Sequence, residues 1–243
     1  MPNNKEIEKF SEELKKYARS TGAELVGALP VDKIDAVPSH WVGWTVNSDT
    51  KKSEHYMKDA KSVIVLGYHA WDDVHEIALL GREDIEYTAY QRMRLYARRV
   101  LRFIKDHGYE GVIYPELLSQ KRMAQLAGLG CFGKNSLIIN PTYGAWIRLQ
   151  SILTNAELVY NEPFKEDLCG ECDKCIQACP VDALTPYKVD PDRCIVGMYY
   201  PHRSVLQGVE HEFEEYMPKL TENSRLMCTE CQKACPIGFD LRY

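Results

Sequence analysis

The sequence predicts an α+β protein with two domains, a body over residues 1–160 and a cysteine-rich domain over residues 161–243. In the body, amphipathic helical patterns are mixed with short apolar strands, and no internal repeat is present. The second domain is set apart because eight of the nine cysteines fall between Cys169 and Cys235. A length of 243 residues allows one large or two small domains.

The first elements follow from hydrophobic periodicity. Residues 5–20 repeat apolar side chains at helical spacing, and Gly22 is a suitable stop. Glu24–Ala28 and Ser62–Tyr68 are short apolar runs that predict strands, the second buried on both faces. The stretch between these strands has no clear period and is predicted to be a loop with one short helix.

The next segment predicts a long helix over Glu86–His107, closed by Gly108. Gly111–Tyr114 is predicted to be a strand, and Pro115 suits the first position of a helix that reaches Gly128. After that helix, the body is expected to end in a hairpin.

Ser136–Asn140 and Ala145–Leu153 are the predicted strands of this hairpin, joined by the turn Pro-Thr-Tyr-Gly. The cysteine-rich domain is poor in regular structure, with helix-sized pieces at Asp173–Ala178 and Glu210–Met217.

Charge and hydropathy exclude several classes of protein. Lys and Arg number 30 against 35 Asp and Glu, so the net charge is −5 and no electrostatic footprint for nucleic acid is evident. No apolar run approaches the roughly 20 residues of a membrane span, and the N-terminus lacks the pattern of a secretory signal. We therefore expect a cytoplasmic protein with no membrane partner.

The cysteine spacing predicts two [4Fe-4S] clusters. The run Cys-x2-Cys-x2-Cys-x3-Cys-Pro begins at Cys169, and in two-cluster ferredoxins the fourth cysteine of this run binds the other cluster. A reciprocal run, Cys-x2-Cys-x3-Cys-Pro, begins at Cys228 and lacks only a first cysteine, which Cys194 can supply. The predicted ligands are Cys169, Cys172, Cys175 and Cys235 for cluster one, and Cys179, Cys194, Cys228 and Cys231 for cluster two.

Two alternatives for the cysteines are a pair of structural zinc sites and a disulfide framework. Zinc ribbons use pairs of Cys-x2-Cys, and runs closed by Cys-Pro are not their pattern. Disulfides are rare in a cytosolic chain. A third motif, the G-x-G-x-x-G spacing from Gly128 to Gly133, follows a helix instead of a strand, so it is a poor candidate for a dinucleotide site.

Three segments make the chain resemble a known family. GLGCFGKNSLIINPTYGAWIRLQSILTNAEL (residues 128–158) and AKSVIVLGYHAW (residues 60–71) are similar to segments of epoxyqueuosine reductases. The cysteine runs, together with an isolated Arg-Cys pair at Cys194, resemble their two-cluster module. The stretch INPTYGAWIRL is also similar to reductive dehalogenases, the sister family.

This resemblance implies a nitroreductase-like body that binds base-off cobalamin, followed by a ferredoxin-like domain. The segment from Lys134 to Leu149 is then expected to hold the corrinoid. The alternative for Lys134 and Asn135 is that they only cap a strand, since anion-binding turns of this kind are common. The candidate cobalamin-binding residues are Lys134, Asn135, Ser136, Ile138 and Leu149.

The resemblance also points to a proton donor ahead of the glycine-rich segment. Epoxyqueuosine reductases use an aspartate there, and ungapped counting places Tyr114 at this position with Glu116 beside it. A phenol can protonate a developing carbanion when a nearby cation lowers its pKa. Tyr114 and Glu116 are therefore the candidate catalytic residues, although Tyr114 could equally be an ordinary tyrosine at a strand end.

Together these observations predict a cobalamin- and iron–sulfur-dependent oxidoreductase that receives electrons from ferredoxin or flavodoxin. The alternative is a non-catalytic electron carrier, or a partner that reduces another protein's corrinoid. The sequence ends eight residues after Cys235, before the helical repeats that help epoxyqueuosine reductases hold tRNA. With a net charge of −5, we expect a small-molecule substrate and no tRNA partner.

Overall fold

The computed structural model describes residues 3–43, 46–81, 85–199 and 213–242, and the chain divides into two compact units. The first unit consists of Met1–His69, Arg92–Gly130 and Arg148–Lys165. The second unit consists of Ala70–Gln91, Cys131–Ile147 and Glu166–Tyr243. The units alternate along the chain, and the boundary between residues 160 and 161 stays a prediction.

The described elements are numbered in chain order. The helices are α1 (Asn4–Ser20), α2 (Val31–Asp35), α3 (Thr88–Asp106), α4 (Gln120–Leu126), α5 (Lys174–Gln177), α6 (Ile195–Met198) and α7 (Glu230–Lys233). The strands are β1 (Leu25–Pro30), β2 (Ser62–His69), β3 (Ile77–Leu80), β4 (Ile85–Tyr87), β5 (Gly111–Ile113), β6 (Cys131–Phe132), β7 (Ile138–Ile139), β8 (Ile147–Thr154), β9 (Leu184–Thr185), β10 (Lys188–Val189), β11 (Lys219–Thr221) and β12 (Ser224–Leu226).

A four-stranded sheet in the order β1-β2-β8-β5 forms the centre of the first unit. β1 and β2 are antiparallel, with Leu25 opposite Gly67 and Pro30 opposite Ser62. All residues of β2 up to Tyr68 are buried, as its continuous apolar sequence predicts. The pairing of β8 with β5 is also antiparallel, with Ile113 opposite Ile152.

Helix α1 begins and packs as its sequence predicts. Asn3 and Glu6 form a capping box: the Asn3 side chain accepts from the Glu6 N–H (3.1 Å), and the Glu6 carboxylate accepts from the Asn3 N–H (2.8 Å). The apolar face is buried, and the Tyr17 ring stacks on Phe103 of α3 at 4.6 Å between centroids. Tertiary packing of this face therefore stabilises the helix beyond its intrinsic propensity.

Helix α3 begins two residues later than predicted. Glu86 belongs instead to β4, whose residues pair with β3. Within α3, Met93, Ala97, Val100 and Ile104 form the buried stripe expected from their spacing.

Two predicted elements in the middle of the chain are wrong in part. The helix predicted from Pro115 begins only at Gln120, because the Ser119 hydroxyl caps it there by accepting from the Arg122 N–H. The predicted pairing of Ser136–Asn140 with Ala145–Leu153 is reduced to one bridge between Asn140 and Gly144.

The two halves of that predicted hairpin join different partners. β7 pairs with β6, with Ile139 opposite Cys131. β8 lies in the sheet of the first unit, between β2 and β5. The Asn140 side chain accepts from the backbone N–H groups of Thr142 and Tyr143, which tightens the turn before the chain leaves it.

The second unit contains a four-stranded sheet in the order β11-β12-β3-β4, which the sequence did not predict. The remaining described elements of this unit are short. α5 lies within the predicted piece Asp173–Ala178. Of the predicted piece Glu210–Met217, residues 210–212 lie outside the described residues, and residues 213–217 form turns. In the described part of the chain, no helix is both long and apolar enough to cross a membrane.

Candidate metal centre and active site

The two cysteine runs repeat one local backbone structure. α5 carries Cys175 and α7 carries Cys231, and the two helices have equal length. The residue before each helix has nearly the same dihedral angles, φ −129° and ψ 12° before α5 and φ −126° and ψ 13° before α7. The repeated motif Cys-x2-Cys-x3-Cys-Pro is therefore also a structural repeat within the second unit.

The structure brings the four predicted ligands of cluster one together. Burial raises the pKa of the Cys175 thiol, and the nearby Cys169, Cys235 and Cys172 thiols raise it further. Burial likewise raises the pKa of Cys235, with Cys169 and Cys172 again among its neighbours. Cys235, from the second run, thus lies with the first three cysteines of the first run.

The other four cysteines form a second set. Burial raises the pKa of Cys228 to about 11, and Cys194 and Cys179 are among the neighbouring groups that raise this pKa further. Burial also raises the pKa of Cys231, and Cys228 and Cys194 raise it further. The isolated Cys194 therefore lies where the reciprocal run needs its missing cysteine.

All nine cysteines are free thiols in this structure. In the described part of the chain, no group of three or more His, Cys, Asp or Glu side chains lies close enough to bind a single metal ion. This is compatible with a [4Fe-4S] cluster, because each of its four thiolates binds a different iron at a different corner.

Backbone amides point at the sulfur atoms of both sets. The Lys134 N–H donates to Cys169 Sγ at 3.4 Å, and the Ala183 N–H donates to Cys179 Sγ at 3.3 Å. Hydrogen bonds of this kind favour the thiolate and tune the reduction potential of a bound cluster. Each set of cysteines therefore contains at least one sulfur atom that accepts a hydrogen bond from the backbone.

Lys134 and Asn135 contact the cysteine loops. Lys134 Nζ donates to the Gly170 carbonyl at 2.7 Å, and Asn135 Nδ2 contacts the Cys231 carbonyl at 3.5 Å. Sequence reasoning missed this role and considered only corrinoid binding or strand capping for the pair. Their position just before the cysteine-rich part gave no signal of which loop they would reach.

The other candidate corrinoid residues have mixed surroundings. Ser136 is half-buried and has a left-handed backbone with φ 61°, whereas Ile138 is buried in β7. Leu149 is half-buried on β8, in the first unit. Ser136 and Leu149 are therefore partly exposed in their own units, whereas Ile138 is not.

Cys131 lies near Cys169, a predicted ligand of cluster one, although Cys131 is not in the predicted ligand set. Its side chain is buried, and burial raises its pKa, with Cys169 as one of the neighbouring groups that raise it further. The sequence analysis had placed Cys131 outside the cluster motifs. Cys131 is the first residue of β6, and this strand determines where its side chain lies.

Tyr114 and Glu116 lie in the first unit, in the segment that follows β5. Tyr114 has φ 48°, an outlying value for a bulky residue, and its N–H donates to the Ser151 carbonyl at 2.8 Å. Glu116 is exposed and lies near the Tyr56 phenol, whose pKa is raised by burial first and by the Glu116 charge to a smaller extent. Strained backbone of this kind occurs often at functional sites.

Comparisons with known proteins agree with this geometry. Residues 168–238 match the family model of the 4Fe-4S double cluster binding domain. An epoxyqueuosine reductase from Leadbetterella byssophila is 27% identical over 248 residues, which cover 93% of this chain and 79% of that protein. The chain is related to the epoxyqueuosine reductases. The predicted resemblance is thus confirmed, and so is the prediction of an oxidoreductase at the level of the family.

Solved structures with the same fold include an epoxyqueuosine reductase and a reductive dehalogenase. The epoxyqueuosine reductase, solved with an epoxyqueuosine-modified tRNA stem loop, has a TM-score of 0.69 and 21% identity, and the match covers 97% of this chain and 67% of that one. The catabolic reductive dehalogenase has a TM-score of 0.66 and 17% identity, with 97% and 33% covered. The mixed α+β fold and the C-terminal double-cluster domain are therefore confirmed.

The expectation of a small-molecule substrate without tRNA is wrong. The relatives are epoxyqueuosine reductases, and one was solved with a tRNA stem loop. The net charge of −5 misled because it averages the whole surface, whereas phosphates are bound by local groups. On α3, for example, Arg98, Arg99 and Arg102 are exposed, and none of them is paired with a carboxylate in the described part of the chain.

Proposed function

We propose that this chain is a reductase that acts on epoxyqueuosine in tRNA, with two [4Fe-4S] clusters and cobalamin as its cofactors. The observation that supports the proposal best is similarity to an epoxyqueuosine reductase over 93% of the chain, including the double-cluster domain. The reciprocal grouping of the eight cysteines supports the cluster assignment independently.

The cysteines would hold the clusters in the two sets described above. Cys169, Cys172, Cys175 and Cys235 form one set, and Cys179, Cys194, Cys228 and Cys231 form the other. Lys134 and Asn135 tie the segment before the cysteine-rich part to the loops of both runs. The role of these contacts is to fix the loops, so that the sulfur atoms keep their positions when the cluster charge changes.

Cobalamin is proposed because the family relation implies it. Ser136 and Leu149 each stay a candidate because each is half-buried, whereas Ile138 is buried in β7. The Lys134 and Asn135 side chains contact the cysteine loops, and their part in cobalamin binding stays a prediction. When bound, cobalamin supplies a strongly reducing metal centre, which the side chains of this chain cannot provide.

Removing an epoxide oxygen by reduction consumes two electrons and two protons and releases water. We assign the supply of a proton to the segment Tyr114–Glu116, by the Tyr114 phenol or the Glu116 carboxyl group. The left-handed backbone of Tyr114 is held by its hydrogen bond to Ser151, which fixes where the segment leaves the sheet. A proton donor fixed in this way needs no reorganisation before it reacts.

The proposal is tested by anaerobic turnover of the reconstituted protein. The full chain is loaded with iron, sulfide and cobalamin and incubated with a chemical reductant and epoxyqueuosine-containing tRNA. Nucleosides from the digested tRNA are then separated and identified by mass spectrometry. We expect conversion of epoxyqueuosine to queuosine by the wild-type protein.

Matched variants separate the cluster ligands from the neighbouring thiol. Cys231→Ser should abolish conversion, whereas Cys131→Ser should retain it, because only the first removes a cluster ligand. A protein that holds both clusters and cobalamin but converts no epoxyqueuosine would contradict the proposal. If conversion required a second corrinoid protein, the alternative of a corrinoid-reducing partner would be correct.

A further inference from the structure

A small cavity of about 160 Å³ lies in the first unit, beside the segment that contains the candidate proton donors. Its apolar floor consists of Ile34, Val37 and Leu118. The other lining residues are polar: Ser39, His40, Thr50, Lys51, Lys52 and Ser119. Its size suits a single phosphate or a similar small group, since pockets for drug-sized ligands are about 300–1,000 Å³.

The chemistry of the lining favours an anion. Two lysines, a histidine, two serines and a threonine are among its nine lining residues, and none of the nine is an aspartate or a glutamate. The carboxylate of Asp35, the residue after the lining residue Ile34, accepts from the Ser53 N–H (2.8 Å) and the Ser53 hydroxyl (2.6 Å). Asp35 is therefore held by Ser53 and is not one of the residues that line the cavity.

Lys51 is the cation that is available to a ligand. Its backbone N–H donates to the Leu117 carbonyl at 3.0 Å, while its side chain is exposed and forms no hydrogen bond or ion pair within the described residues. Lys52, by contrast, uses Nζ to donate to the Asp35 carbonyl. A phosphate could thus pair with Lys51 without breaking an existing contact.

The cavity is also coupled to the Tyr114–Glu116 segment through Leu117. The Leu117 N–H donates to the Tyr56 hydroxyl at 2.7 Å, and its carbonyl accepts from Lys51. Leu118 and Ser119 then line the cavity directly. A ligand held by Lys51 would therefore lie next to the backbone that positions the candidate proton donors.

We propose that this cavity binds one phosphodiester group of the substrate tRNA, with Lys51 as its main cation. The inference rests on the proposed function and adds to it a contact that links RNA binding to the Tyr114–Glu116 segment. Contacts to phosphate position a nucleic acid and carry no sequence information. Lys51 is accordingly a positioning residue for the RNA backbone, and it does not read bases.

The test is the salt dependence of RNA binding by Lys51→Gln. A labelled tRNA stem loop is titrated with the full-length, cluster-loaded protein between about 50 and 200 mM KCl. One phosphate contact contributes about 0.7 to the slope of log affinity against log salt for a single-stranded segment. We therefore expect the wild-type affinity to fall about 2- to 3-fold more over this range than the affinity of the variant.

The control is Lys58→Gln, which removes the same charge from an exposed lysine of the same unit outside the cavity. This variant should keep the wild-type slope, and a change equal to that of Lys51→Gln would overturn the proposal. Inorganic phosphate serves as a second probe by calorimetry. If Lys51→Gln weakens phosphate binding but leaves RNA binding unchanged, the cavity is a site for free phosphate and the inference is wrong.

The conversion assay keeps this inference separate from the proposed function. Lys51→Gln should raise KM for epoxyqueuosine-containing tRNA while kcat stays near the wild-type value. Wild-type conversion with no effect of Lys51→Gln on binding or KM contradicts the inference alone. A wild-type protein that binds RNA through Lys51 but converts nothing contradicts only the proposed function.

Discussion

Arg242 shows how a single side chain fastens the end of the described chain to the rest of the second unit. Its side chain is 2% exposed, its guanidinium lies 3.5 Å from the centroid of the Trp146 ring, and it pairs with Asp73. Buried cations of this kind are tolerated only when they are paired and packed. Arg242 therefore connects three separate segments of the sequence within one unit.

We expect Arg242→Met to destabilise the protein by about 3 kcal/mol, because it removes a desolvated cation–π contact and leaves Asp73 unpaired. The measurement is the shift of the urea midpoint of the cluster-loaded protein. Lys219→Ala is the control, since it removes an exposed ion pair with Glu222 and should change stability by less than about 1 kcal/mol. Equal shifts of the urea midpoint for the two variants would show that the Arg242 contacts stabilise the protein no more than an exposed ion pair does.

The cysteine assignment gives a second prediction at this scale. Cys194→Ala should lose about half of the iron after anaerobic reconstitution, because it removes one ligand of cluster two and none of cluster one. Cys131→Ser should keep the full iron content, although Cys131 lies close to Cys169. Full iron in Cys194→Ala together with half the iron in Cys131→Ser would show that the ligand sets are wrong.

Single residues can be predicted where a short spacing along the chain brings them together. The cysteines within each run are of this type, because α5 and α7 place Cys175 and Cys231 at the same position of a repeated turn, and their role as cluster ligands stays a prediction. Lys134 and Asn135 could not be assigned in this way, since their partners Gly170 and Cys231 lie far along the chain. Only the folded structure shows which distant carbonyl a lysine reaches.

Among the elements, those with a long regular pattern were predicted and those with short strands were not. α1 and β2 follow their periodicity closely, because their packing satisfies the pattern of their own sequence. The sheet of β3 and β12 was missed, since strands of three or four residues carry too little pattern. The predicted hairpin failed because distant strands compete with a neighbour across a tight turn.

The capping box of α1 allows a prediction for an element. Asn3→Ala should lower the free energy of unfolding by about 1 kcal/mol, because it leaves the Glu6 N–H without its cap. Asn4→Ala is the matched control, one residue further on and inside the helix, and should change stability by less than about 0.5 kcal/mol. Chemical denaturation measures the free energy of unfolding of both variants. Equal decreases would mean that the loss of any asparagine at this end of the helix lowers the stability, and that the cap itself contributes nothing.

At the scale of the whole molecule, the two units differ in what stabilises them. The first unit has an extended sheet and a core of fully buried side chains such as Leu14, Ile64 and Ile104. The second unit is built from four-residue helices and short strands around the two sets of cysteines. Helices and strands of this length have little stability of their own, so the segments around the cysteines depend on their cofactors.

Removal of the clusters should therefore unfold the segments around the cysteines in the second unit and leave the first unit folded, because the binding free energy of a metal centre is also folding free energy for the segments that hold it. The measurement is amide hydrogen exchange before and after iron chelation under anaerobic conditions. We expect β9, β10, α5 and α7 to lose protection, while β1, β2 and the buried face of α3 keep theirs. The Cys131→Ser variant, which keeps all eight ligands, should behave as the wild type in both states. Uniform loss of protection in both units would instead mean that the clusters stabilise the whole chain as one cooperative structure.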